Sequence, residues 1–164
     1  VLVELARLLQ QANVRPADNL VFVAWSGHEE GLYGSRYYVK HPSFPLDQTN
    51  LYLNLDIVGQ GTGQQLQAYA SGQGARALLD QAVTLLGSQG TPAAVQVLST
   101  DSGASDHETF LQNGLPVISV NWAGIIEDGR LHTLADTADT VDPAKLSVTG
   151  QVATLVVLLG LRQS

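Results

Sequence analysis

Short, continuous apolar runs that are each followed by polar or ionisable residues constrain the fold of this chain most strongly. The clearest runs are 20–25 (LVFVAW), 51–58 (LYLNLDIV) and 115–121 (LPVISVN). Continuous runs, unlike alternating ones, are typical of strands buried on both faces, as in parallel sheets. Helical spacing of apolar residues occurs between and after them, most clearly over 75–86 and 144–161. The sequence therefore predicts an α/β fold, with a mainly parallel (mixed) sheet flanked by helices.

Further segments complete the alternation of helices and strands. They are the predicted helices 1–11, 35–39 and 106–112 and the predicted strands 64–70 and 93–98. The last helix is expected to begin at Asp142-Pro143, because proline is favoured in the first turn of a helix. The sequence contains no internal repeat, low-complexity stretch or linker. We predict a single domain over residues 1–164.

Composition restricts the function of this domain. The chain has 164 residues, of which 45% are hydrophobic, and a formal net charge of -7. An acidic domain without a basic stripe is a poor nucleic-acid binder, so no nucleic-acid partner is expected. The longest apolar run, 152–161, falls short of the roughly 18 residues that span a bilayer, so we also expect no membrane span. The absence of cysteine excludes disulfides and thiolate-ligated metals within this chain.

Ionisable side chains follow the predicted strands, at the positions where α/β sheets gather their ligands. They are His28, Glu29 and Glu30 after the strand 20–25, Asp56 near the end of 51–58, Asp106 and His107 after 93–98, and His132 after 115–121. Carboxylates and imidazoles without thiols suit zinc or a similar divalent metal. The pattern therefore favours a metal site at this edge of the sheet.

Each of these residues also has an ordinary structural interpretation. Glutamates beside glycines are usually solvated loop charges. His107 can be a helix-start residue, and Asp136 can be a turn or capping residue. Asp56 is harder to explain in this way, because a carboxylate inside an apolar run is costly to bury unpaired.

Four segments, taken in chain order, resemble the signature blocks of a known family. They are WSGHEEGLYGS, NLDIVG, SDHETFLQNGLP and LHTLADTADTV. They are similar to the co-catalytic zinc aminopeptidases of metallopeptidase family twenty-eight, which include bacterial leucyl aminopeptidases and have glutamate carboxypeptidase and glutaminyl cyclase among their relatives. The resemblance extends from residue 1 to about residue 161. It implies a zinc exopeptidase/phosphorylase-hydrolase-like sandwich, a zinc cofactor and a peptide substrate.

The resemblance assigns roles within the glycine-flanked triplet. In the family, a strand ends in Gly/Ala-Glu-Glu-x-Gly-Leu-x-Gly-Ser, where the first Glu is the general base and the second is a metal ligand. The GLYGS stretch of this chain then places His28 at the base position, Glu29 at the ligand position and Glu30 at the variable position. The alternative register makes Glu29 the base and Glu30 the ligand, but it needs a one-residue deletion before Gly31. We favour the first register.

His28 therefore departs from the family pattern, and two interpretations of it stay open. A neutral imidazole can accept a proton from metal-bound water, because its pKa lies near neutrality. The other interpretation is that His28 marks a weakened or inactive relative.

The resemblance implies roles for the remaining site residues. Asp56 matches a ligand of the second zinc, and His132 matches a ligand on the same zinc as Glu29. Asp136 is expected to support that zinc from outside its ligand shell. Asp106 and His107 are expected to be structural or substrate-facing.

The family pattern also contains a His-x-Asp block and a metal-bridging Asp before the first helix, and this chain shows neither. We therefore expect an N-terminally incomplete C-terminal portion of a peptidase domain. A full site would bind two zinc ions, so we expect partial or no binding by this chain. The missing elements would expose apolar surface, which a homodimer could cover.

The expected function is a metal-dependent exopeptidase that hydrolyses N-terminal peptide bonds through metal-activated water. The alternatives are a catalytically inactive or accessory binding domain on the same fold, and a carboxypeptidase-like or cyclase-like relative. Whether this chain alone is an enzyme stays open. A secreted or periplasmic location is expected from the family resemblance alone.

Overall fold

The computed structural model describes residues 1–89, 95–100 and 105–161. In chain order, its helices and strands are α1 (Leu2–Gln11), α2 (Tyr33–Lys40), β1 (Tyr52–Leu55), β2 (Leu66–Ser71), α3 (Gln73–Ser88), β3 (Val95–Val97), α4 (His107–Leu111), β4 (Val117–Trp122) and α5 (Pro143–Gly160). Short 3-10 turns lie at Leu46–Gln48 and Ala138–Thr140. Helices and strands alternate along most of the chain, as predicted.

The sheet is mixed, and its strands lie in the order β1-β4-β2-β3. Strand β4 pairs parallel with β1 and antiparallel with β2, while β2 pairs parallel with β3. Two of these three pairings are parallel, so the predicted mainly parallel sheet flanked by helices is confirmed.

The core lies between the central strands and the two long helices α3 and α5. Ile118 on β4, Leu79 on α3 and Val156 on α5 are fully buried. Four consecutive residues of β4 are buried, because both faces of this strand are covered. This arrangement explains why the run 115–121 is continuous in the sequence instead of alternating.

Helix α5 begins where the sequence predicted. The Asp142 side chain accepts a hydrogen bond from the Ala144 amide (2.8 Å), and Pro143 occupies the first turn. By length and composition alone, α5 could cross a membrane. That is weak support for a span, because apolar core helices share these properties, and Val152 and Val156 of α5 are buried in the core.

The predicted strand 20–25 is wrong: this segment belongs to no strand of the sheet. A groove of about 1140 Å³ separates it from β1. Within the described residues, β1 pairs with β4 alone, so its other edge faces this groove. The run has no neighbouring strand to bond with, and Val21 and Phe22 are exposed. An apolar run becomes an interior strand when strands flank it on both sides.

Smaller differences concern the ends of elements. The predicted strand 51–58 ends at Leu55, because the backbone turns at Ile57, which has a φ of 48°. This turn places Asp56 just beyond the end of β1 and not inside it. Residues 93 and 94 of the predicted strand 93–98 lie outside the described residues.

Candidate functional site

The glycines of the WSGHEEGLYGS segment fold it into a tight turn before α2. The Gly34 amide donates to the Ser26 carbonyl (2.9 Å), and a Cβ on Gly34 would lie 2.6 Å from that same oxygen. Gly31 has a φ of 104°, a conformation that residues with a Cβ rarely adopt. The turn therefore needs glycine at these positions, and it projects His28 and Glu29 away from the backbone.

Glu29 meets His132 across the site. His132 Nε2 lies 2.8 Å from Glu29 Oε1, within hydrogen-bond distance, although the two residues are 103 positions apart. Both side chains are largely exposed, at 66% for Glu29 and 62% for His132. His132 has a φ of 60°, which is uncommon for a residue other than glycine and is frequent at functional sites. The structure therefore brings together the two residues that the family resemblance assigns to one metal.

His28 lies between two carboxylates. Its Nδ1 is 2.7 Å from Asp106 Oδ2, and its Nε2 is 3.9 Å from Asp56 Oδ2. The hydrogen bond to Asp106 raises the pKa of His28, and the negative charges of Asp56 and Glu29 act in the same direction, while burial opposes them. His28 and Asp56 stay partly accessible, at 32% and 30% of their side-chain surface.

Asp106 is the buried member of this cluster, with 5% of its surface exposed. Its Oδ2 bonds to His28, while its Oδ1 is buried and has no hydrogen-bond partner among the described residues. A buried carboxylate oxygen without a partner is costly, so it calls for an explanation.

A chain of hydrogen bonds supports this cluster from beneath, and the sequence analysis did not anticipate it. Trp25 Nε1 donates to the Tyr52 hydroxyl (2.9 Å), which donates to Asn54 Oδ1 (3.0 Å). Asn54 Nδ2 donates in turn to Ser105 Oγ (3.0 Å), next to Asp106. Burial raises the pKa of Tyr52, so its hydroxyl keeps its proton. The one sequence signal was the polar Asn54 inside an apolar run.

Asp136 and His107 take other positions. Asp136 is exposed and accepts a hydrogen bond from Gln60, and no hydrogen bond to His132 is seen among the described residues. His107 is the first residue of α4 and is almost completely buried. Glu30, the alternative ligand, is exposed in the turn. The structure therefore keeps these three residues outside the two groups described above.

The loop that precedes His132 is held to the chain after β1. Asp128 accepts hydrogen bonds from the Arg130 side chain and from the Gly61 amide (3.1 Å). The bond from Arg130 and that from Gly61 lower the pKa of Asp128 to about 2. This contact fixes the base of the loop that presents His132.

The donor atoms fit a divalent metal in type and in spacing. Two ligands at about 2.0–2.1 Å from a tetrahedral zinc lie about 3.3 Å apart. The Glu29–His132 pair at 2.8 Å and the His28–Asp56 pair at 3.9 Å are each within about 0.6 Å of that separation. Within residues 1–89, 95–100 and 105–161, no three such side chains form a complete metal cluster. The described residues therefore supply two close pairs of possible donors, and each pair is one short of the three protein ligands usual for catalytic zinc.

The sequence of this chain is similar to those of known peptidases. The model of peptidase family M28 matches residues 1–157. Aminopeptidase YwaD of Bacillus subtilis is 29% identical over 168 residues, covering 96% of this chain and 35% of that protein. A probable leucine aminopeptidase 2 of Aspergillus oryzae is 32% identical over 127 residues, covering 68% of this chain and 23% of that protein. The chain thus spans about a third or less of the length of these relatives.

A solved structure agrees at the level of the fold. The structure of a zinc aminopeptidase from Bacillus subtilis superposes with a TM-score of 0.76 at 24% identity. The match covers 95% of this chain and 39% of the aminopeptidase.

Proposed function

This chain belongs to peptidase family M28, and from that premise we propose that it carries part of the active site of a zinc-dependent exopeptidase. The proposed reaction removes N-terminal residues from peptides. One observation carries the proposal. Four ionisable side chains from three distant parts of the sequence converge as two close pairs, Glu29–His132 and His28–Asp56, at the same end of the fold.

We assign the residues of this chain separate roles in the proposed site, either holding a metal or orienting another side chain. Glu29 and His132 would hold one metal, and Asp56 would hold the other. A bound metal would polarise the scissile carbonyl and lower the pKa of bound water. Asp106 holds His28 in one orientation beside Asp56. The Asn54–Ser105 hydrogen bond keeps the segment that carries Asp106 against β1.

Hydrolysis of aminoacyl-p-nitroanilides by the full-length protein tests this function. We expect Glu29→Ala, Asp56→Ala and His132→Ala each to lower kcat/KM by more than about 100-fold, because loss of a ligand costs more than loss of a group that supports one. Glu30→Ala is the matched control, and it should retain activity. If all three variants stay fully active, the proposed site is wrong.

The same assay separates the enzyme from an accessory domain. An accessory domain on this fold would leave the wild-type protein inactive on all such substrates with zinc present. Hydrolysis by the wild type together with loss in the Glu29→Ala variant supports the exopeptidase.

A further inference from the structure

We propose that His28 is a metal ligand, paired with Asp56 and oriented by Asp106, and that it is not the free proton acceptor which its position in the family pattern implies. The proposal rests on the proposed function, because it concerns the same site. It assigns Nε2 of His28 to the metal and Nδ1 to Asp106.

The hydrogen bond to Asp106 sets the tautomer of His28. An ionised carboxylate can only accept, so the Nδ1 atom of His28, 2.7 Å from Asp106 Oδ2, must carry the proton of that contact. In the neutral imidazole, Nε2 then holds the free lone pair. A carboxylate on the far nitrogen is the usual partner of a metal-bound histidine, because it fixes the ring and makes the ligating nitrogen more basic.

The position of His28 Nε2 opposite Asp56 suits a metal ion bound by both side chains. Nε2 of His28 faces Asp56 Oδ2 at 3.9 Å, which is too long for a direct hydrogen bond. The two atoms need to approach by only about 0.6 Å to reach the separation of two ligands on tetrahedral zinc. Since both side chains are about one-third exposed, an ion can reach the gap between them from solvent.

The burial of Asp106 distinguishes this arrangement from a surface ion pair. Only 7% of its side chain is exposed, compared with 32% for His28. Ser105 beside it accepts a hydrogen bond from Asn54 on β1, which ties this segment to the sheet. Burial of a carboxyl group costs free energy, and positioning a metal ligand gives this buried group a function. Asp106 is therefore a positioning residue.

The test is zinc titration of the full-length protein by calorimetry, with His28→Gln, Asp106→Asn and the control His41→Gln. The glutamine side chain in His28→Gln keeps much of the size of the original but removes the imidazole. His41 is exposed and stacks on Tyr37, away from the site. We expect Asp106→Asn to lower zinc affinity about 10–100-fold, His28→Gln to lower it at least as much, and His41→Gln to change nothing.

A second readout reports ligation directly. In the cobalt-substituted protein, a ligating His28 with a protonated Nδ1 gives an exchangeable, hyperfine-shifted proton resonance. This resonance should disappear in His28→Gln, and in Asp106→Asn it should shift or broaden through faster exchange. Because the resonance requires a folded site, it also shows that the Asp106→Asn protein has folded.

Either of two results would overturn the proposal. In the first, His28→Gln binds zinc as tightly as the wild type but loses activity, which makes His28 a base. In the second, His28→Gln changes neither property. Failure of the exopeptidase function is a separate result, because it appears as inactivity of the wild-type protein regardless of its zinc affinity.

Discussion

The two proposed ligand pairs, Glu29–His132 and His28–Asp56, differ in how they are supported. Glu29 and His132 project from exposed turns and contact each other in solvent. His28 instead leans on a buried carboxylate, and a chain of hydrogen bonds connects the neighbouring Ser105 to β1. The Glu29–His132 pair is thus held by loops, whereas the His28–Asp56 pair is supported by the core. From this difference we expect substitutions in the core to affect the proposed metal site through His28 and Asp106, and substitutions in the loops to affect it through His132.

The largest expected effect is on the core beneath Asp106. Phe110 on α4 is buried and stacks on Tyr52 with ring centroids 3.8 Å apart. We expect Phe110→Ala to lower the free energy of unfolding by about 3–5 kcal/mol, because it leaves a cavity between α4 and β1. Denaturant unfolding measures this change.

An exposed phenylalanine provides the control. Phe44→Ala should change the free energy of unfolding by less than about 1 kcal/mol, because this side chain is 44% exposed. Equal losses in the two variants would show that the packing of α4 does not support the buried side of the site.

The next effect concerns the hydrogen bonds that anchor the segment before α4. Asn54 is buried and bonds to both Tyr52 and Ser105. We expect Asn54→Ala to destabilise the protein by about 1–3 kcal/mol, because it leaves the buried hydroxyl groups of Tyr52 and Ser105 without these hydrogen bonds. Chemical unfolding tests this, with Asn50→Ala as the exposed control; a neutral Asn54→Ala would contradict the supporting role.

A smaller effect should appear on the loop side at acid pH. The lowered pKa of Asp128 means that its contribution to stability is fully present above the unfolded pKa of about 3.9 and is lost as the pH falls towards about 2. We expect Asp128→Asn to flatten the dependence of the melting temperature on pH between about 4 and 2. Glu127→Gln, next to it on the surface, should keep the wild-type slope, and an unchanged slope in Asp128→Asn would refute this role.

The smallest expected effect is on stability when the exposed pair is broken. Glu29→Gln should change the free energy of unfolding without metal by less than about 0.5 kcal/mol, because exposed ion pairs contribute little. Thermal unfolding in a chelator checks this. A large loss would mean that the Glu29–His132 contact is structural.

The same contrast between core and loops explains what the sequence could predict. The apolar runs that form β4 and α5 were predictable from the sequence. Their side chains are buried against other helices and strands of this chain, and their apolar patterns reflect that burial. The run 20–25 has the same pattern but faces a groove, so its pattern alone predicted a strand that does not form. The pattern of one segment cannot show whether a neighbouring strand is present.

For the site, the glycines predicted the turn, the family resemblance predicted the register of His28 and Glu29, and the structure brings Glu29 to His132. The roles of these residues as ligands stay predictions. The links from Trp25 to Tyr52 and from His28 to Asp106 were beyond the sequence, because they join side chains from segments distant in the chain.

The most direct test of the metal site is zinc calorimetry on the full-length protein, comparing Glu29→Gln with Glu30→Gln. The two glutamates are adjacent and exposed, but only Glu29 contacts His132 in the described residues. The proposed site predicts that Glu29→Gln weakens zinc binding by at least about tenfold, while Glu30→Gln leaves it unchanged. Unchanged binding in Glu29→Gln, or a loss confined to Glu30→Gln, would contradict it.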